Sequence, residues 1–151
     1  MTAGIEGYES VCYAIPLSIA EGTAENILYH YRDGDETTNG VYKIKLGVTI
    51  SGENAAYALG EDGYGRISEE VRVAAVTEGS LAADMGLAAG DRITALVING
   101  AKTEILRTFD IDDLLLTLRP EDSLQIAYER DGTETLTGSL TLTQDLFLQA
   151  E

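Results

Sequence analysis

Fifteen residues, Gly79-Ser80-Leu81-Ala82-Ala83-Asp84-Met85-Gly86-Leu87-Ala88-Ala89-Gly90-Asp91-Arg92-Ile93, constrain this chain more than any other stretch. They read as a turn, a short helix over 81–85 capped by Gly86, a second turn, and the start of a buried strand. Short β-rich runs recur at 41–50, 71–76, 92–98, 124–129 and 135–142, alternating as half-buried strands do. A longer helix is predicted over 111–118, stopping before Pro120, which disfavours helix in the residue ahead of it. Asp131-Gly132 between the last two runs is a hairpin signal. Strands interrupted by two helices of unequal length predict an α+β fold, a small barrel or sandwich. Residues 51–70 read as a long connection containing Gly and Ala, with Tyr57 and Tyr64 available to touch a ligand or partner.

The N-terminal part has a different pattern. Residues 8–15 read as a strand, and Pro16 with Ser18 opens a helix whose Ile19, Thr23, Ile27 and Tyr31 share a face and which is predicted to stop near Gly34. Residues 32–40 are polar and turn-rich, as a linker is. With 151 residues, 44% of them hydrophobic, the chain is long enough for one core and a small appendage.

The net charge of −16 includes no basic stripe able to neutralise phosphates, which argues against nucleic acid and anionic membrane surfaces as partners. Cys12 is the single cysteine, so an internal disulfide and multi-cysteine zinc sites are excluded. Cys12 is expected to be a small buried apolar residue. No window is long and apolar enough to span a bilayer, and the first residues lack the basic and apolar regions of a signal peptide. Asp33, Asp35 and Asn39 alternate with Gly34 and Gly40, but a calcium loop in that register would need a glycine at Thr38 and an acid at Ile44. Neither a metal nor a cofactor is predicted.

The 79–93 stretch resembles the signature segment of a PDZ domain, and Lys45-Leu46-Gly47-Val48 resembles the loop with which that domain begins its peptide site. The upstream Cys12-Tyr13-Ala14-Ile15-Pro16-Leu17-Ser18 resembles the strand and helix that close the protease domain of HtrA (Deg) family trypsin-like serine proteases. The resemblance spans residues 5–143. It implies that 1–40 is the end of a protease domain plus linker, 41–145 a PDZ domain, and 146–151 a tail. It also implies an extracytoplasmic parent serine endopeptidase engaged in protein quality control. The family's Gly-Asn-Ser-Gly-Gly motif does not occur here, and its catalytic His and Asp lie farther upstream. The fragment is therefore expected to be inactive by itself, with His30 a surface or half-buried helix residue rather than a base. The function implied is a peptide-binding regulatory module; the alternative is a stand-alone PDZ scaffolding or oligomerisation domain.

Backbone physics gives the same site a mechanism. A peptide adds as a strand beside Val48, Thr49 and Ile50, while N–H groups near Leu46, Gly47 and Val48 meet its terminal carboxylate. Gly47 permits the backbone angles and close approach this needs. Ile111, Leu114, Leu115 and Leu118 form one helical stripe; Ile111 and Leu115 are assigned to the groove wall, Leu114 and Leu118 to packing. Lys45, with Lys43 two residues earlier, offers an ammonium to the carboxylate. The partners expected are hydrophobic C-terminal peptides or unfolded proteins. Residues 5–31 carry Tyr13, Ile15, Ile27, Leu28 and Tyr31, which need cover from the body of the fold or from a second copy of the chain.

Overall fold

The computed structural model describes residues 17–35, 38–59 and 63–150. The strand expected at 8–15, Cys12, and the segment 12–16 of the upstream resemblance lie outside the described residues. Helix α1 spans Leu17–His30, and the Tyr31 N–H donates to the Ile27 carbonyl at 2.9 Å as its last turn closes. It ends before Gly34 because Thr38 Oγ1 accepts from the Arg32 N–H at 2.9 Å and folds the chain back. Its buried face is centred on Asn26 and His30, while Tyr31 and Leu28 are exposed, so the expected Ile27–Tyr31 face is displaced toward polar residues. Asn26 explains the shift. Its Nδ2 donates to the carbonyls of Tyr42 (2.7 Å) and Leu116 (2.9 Å), and its Oδ1 accepts from the Tyr42 N–H at 2.8 Å. A fully buried amide with three partners is favourable where an unpaired one would be costly.

The run expected as one strand over 41–50 is two. Strand β1 (Tyr42–Ile44) ends three residues before Gly47, which takes φ +74°, and β2 (Val48–Leu59) then pairs antiparallel with β3 (Gly65–Val76). Residues 51–70, expected as a connection, are the arms of this hairpin, with Tyr57 opposite Ile67. The arms project beyond the core, so both faces meet water and the alternation that marks half-buried strands is missing. Tyr57 and Tyr64 are both exposed there.

Helix α2 (Leu81–Asp84) begins at Ser80, whose Oγ accepts from the Ala83 N–H at 3.4 Å, and ends at Gly86 with φ +86°. Strand β4 (Arg92–Ile98) turns through Asn99-Gly100, both at positive φ, into β5 (Ala101–Glu104). Helix α3 (Thr108–Thr117) starts three residues before the sequence pattern indicates, because Asp110 Oδ2 accepts from the N–H groups of Leu106 (2.9 Å) and Arg107 (2.8 Å). Strand β6 (Ser123–Arg130) turns through Asp131-Gly132, as expected, into β7 (Thr133–Leu136). The last expected strand is interrupted at Thr137, whose Oγ1 accepts from the Ile126 N–H at 2.9 Å, and resumes as β8 (Leu140–Thr141). Strand β9 (Phe147–Gln149), in the stretch expected as a tail, pairs with β1.

The main sheet runs β2-β3-β4-β6-β7, antiparallel throughout, with β5 beside β4 and β8 beside β6. Its end strands β2 and β7 do not meet, so the α+β expectation stands and closure into a barrel does not. Leu96, Leu118, Leu124, Ile126 and Leu142 are fully buried, in one core with Ile111 and Leu115 of α3. The edge of β2 away from β3 carries no further strand among the described residues.

His30 sits in an aromatic cage. Its ring stacks on Tyr42 with centroids 4.7 Å apart, lies 5.7 Å from Phe147, and meets Tyr29 edge-on at 5.0 Å. It is 6% exposed and its Nε2 has no hydrogen-bond partner among the described residues. Burial, and then the charges of Arg119 and Arg32, hold its pKa below the ordinary 6.5. The unfolded chain therefore takes up a proton near pH 6.5 that the folded chain refuses. Stability is expected to be full above that pH and to fall as the pH drops through it, a slope that a His30→Gln variant loses. Thermal melts between pH 8 and 5 check this; identical pH profiles for the two proteins would contradict it.

Candidate functional site

The chain 45–47 is a tight loop held from behind. The Leu46 carbonyl accepts from the Ala82 N–H at 2.8 Å, and the Gly47 carbonyl accepts from the Thr77 N–H at 2.8 Å and from Ser80 Oγ at 3.3 Å. In a trans peptide the N–H points opposite to the carbonyl of the same plane. The N–H groups of Gly47 and Val48 are thus turned away from α2, toward the open side of the loop. Gly47 is required twice over: its φ is +74°, and a side chain there would overlap the Cβ of Ser80. The fifteen-residue segment that dominates the sequence thus fixes this loop through Ser80 and Ala82.

In front of the loop lies a groove of about 280 Å³ between the start of β2 and α3. Lys45, Leu46, Gly47, Val48 and Ile50 line one side, and Ile111 and Leu115 the other. Seven of the eight residues expected from sequence are therefore gathered here. Thr49 is not among the lining residues; its exposed side chain points away, as strand alternation requires. Leu114 is partly buried against the core and Leu118 is fully buried, in keeping with their packing assignment. The floor is firm: Ile44, Leu46, Ile111 and Leu115 are each 5% exposed or less. A space of this size lies at the lower edge of the roughly 300–1,000 Å³ that small-molecule sites span.

The helix is oriented along the groove. A side chain at Gly52 would lie 3.4 Å from Thr108 Cγ2, so the N-terminal end of α3 faces Gly52, with the 45–47 loop at the other end of this stretch of β2. Lys43 and Asp112 complete the lining and form an ion pair, Lys43 Nζ to Asp112 Oδ1 at 3.0 Å. Asp112 was not expected here. Its position one residue after Ile111 and three before Leu115 places it at the edge of the same helical face. Next to it, burial and then the charges of Asp110 and Asp112 push the Asp113 carboxyl up, against the opposing pull of Arg107. Two of the chain's three lysines, Lys43 and Lys45, line this one groove, while Lys102 pairs with Glu134 on the far strands. Within a protein of net charge −16, the loop end of the groove is locally cationic.

No protein-family model matches this chain, and no curated protein matches it.

Proposed function

We propose that the groove captures the C-terminal end of a polypeptide in the manner of a PDZ domain. The observation that carries this is the convergence, on one groove, of a loop whose N–H groups face outward, a strand edge with no further strand among the described residues, and an apolar helix wall. The terminal carboxylate takes the N–H groups of Gly47 and Val48, the terminal side chain fills the space above Leu46 and Leu115, and the peptide backbone pairs with β2. A module that binds chain ends without cleaving them fits a regulatory or substrate-recruiting part of an HtrA-like, extracytoplasmic serine endopeptidase, as the sequence resemblance implies. His30, caged among aromatic rings, contributes to packing rather than to catalysis in this reading.

A fluorescently labelled peptide ending in Val with a free carboxylate is expected to bind in the micromolar range. Hydrogen bonds to a charged group are worth about 1.5–3 kcal/mol, so its C-terminal amide should bind at least about tenfold more weakly. Anisotropy titrations of the two forms make the test. Equal affinity would remove the carboxylate role of the loop.

A further inference from the structure

We infer that Asp112 is a specificity-determining residue of this groove, favouring C-terminal peptides with Lys or Arg two residues before the apolar end over those with Glu or Asp there. The inference rests on the peptide reading proposed above. Three charged side chains, Lys43, Lys45 and Asp112, line the groove, and Asp112 is the acidic one. Its charge is answered by Lys43 at 3.0 Å. A carboxylate arriving at the 45–47 loop draws on the same lysine, and Asp112 then has to share or lose its cation.

Direction along the groove says which ligand residue replaces it. In an extended peptide, the side chains of the last residue and of the residue two before it point to the same side, about 6.6–6.8 Å apart. If the last side chain rests on Leu115 beside the loop, the earlier one lies toward Thr108, since that end of α3 faces Gly52. Ile111 is one turn from Leu115 in that direction, about 6 Å along the helix axis, and Asp112 about 4.5 Å. An ammonium or guanidinium at that ligand position is placed to take over Asp112, whereas a carboxylate meets a like charge. Asp112 is 65% exposed, which lets a long basic side chain reach it from the solvent side and lets the residue be changed without disturbing the core.

The test uses two labelled peptides with free carboxylates, ending Lys-Ala-Val and Glu-Ala-Val, against the wild-type chain and Asp112→Asn. The wild type is expected to prefer the Lys peptide by about tenfold, and the variant by about threefold or less, chiefly because the Glu peptide tightens. The general pull of an acidic protein on cations is nearly the same in both proteins, so it cancels in the comparison. A thermal melt matching the wild type establishes that the variant is folded. An unchanged preference in Asp112→Asn, with both peptides still binding, would overturn the role of Asp112 and leave the groove reading intact. If neither protein binds either of the two peptides, both the role of Asp112 and the groove reading are overturned.

Discussion

An Asp91→Ala variant is expected to unfold with about 3 kcal/mol less free energy than the wild type, the largest loss foreseen for a polar substitution in this chain. Asp91 follows the Gly90 turn and is 1% exposed, yet its carboxylate is fully engaged. Arg130 donates to it through Nε at 2.6 Å and through a terminal nitrogen at 2.7 Å, and the Ala88 N–H donates to it at 2.8 Å. Arg130 also reaches the carbonyl of Gly86, so the pair ties the end of β6 to the loop between α2 and β4. Alanine removes all of these bonds and leaves a void where a charge had been satisfied. For a chain of this length the loss corresponds to a fall in Tm of roughly 6–12 °C.

The acid dependence gives this prediction a second handle. Burial pushes the Asp91 carboxyl up, but the Arg130 hydrogen bonds, the Ala88 N–H and the Arg130 charge more than reverse it, leaving the group below its ordinary 3.8. A carboxyl held low in the folded state stabilises the protein above that value and stops doing so as the pH falls through the folded pKa. The gap between wild type and Asp91→Ala should thus be full at pH 7 and narrow below about pH 4. Urea unfolding at pH 7 and pH 3 measures it. A gap that stays constant would show that Asp91 acts through packing alone.

Gly47→Ala is expected to be the most damaging small substitution for the groove. An alanine at φ +74° carries a penalty of about 1–2 kcal/mol for the left-handed region. The added methyl also overlaps Ser80, the residue that begins α2 and whose hydroxyl donates to the Gly47 carbonyl. The loop can relieve that overlap by moving into the groove, which displaces the N–H groups of Gly47 and Val48 from their shared direction. Stability should fall by at least the conformational penalty, and affinity for a free-carboxylate peptide by tenfold or more. Unfolding and anisotropy titrations on the same preparation report both. Intact affinity in a folded Gly47→Ala protein would mean that the loop does not receive the carboxylate.

Much of this architecture is legible in the sequence because local chemistry and tertiary structure agree there. Gly86, Asp131-Gly132 and Pro120 do in the structure what their backbone preferences dictate. The stripe through Ile111 and Leu115 faces the core and the groove because its period matches a helix buried on one side. Two failures share a different cause. The hairpin arms 51–59 and 65–70 bury no apolar face, since Tyr57, Leu59 and Ile67 are exposed, and the pairing of one arm with the other makes them strands. The buried face of α1 is set by Asn26, a residue that hydrophobic patterning counts as exposed; its three hydrogen bonds to β1 and α3 exist only in the folded chain. Asp112 escaped for the same reason, because its partner Lys43 is 69 residues away in sequence. The break at Gly47 was legible as a site for unusual backbone angles, but the end of β1 there depends on pairing with the distant β9.

Helix α1 bears on the groove from behind. Asn26 bonds to Tyr42, next to Lys43, and to Leu116, next to Leu115, so one side chain links β1 to α3 beside two residues that line the groove.

In the proposed function a free C-terminus enters at the 45–47 loop and extends along β2. A two-dimensional NMR titration with a Val-ended peptide and its C-terminal amide tests it at single-residue resolution. The carboxylate form is expected to shift the amide signals of Leu46, Gly47, Val48 and Ile50 together with those of Ile111 and Leu115, and the amide form to do so only at much higher concentration. Shifts confined to the hairpin arms or to α1, or identical responses to the two peptides, would contradict it.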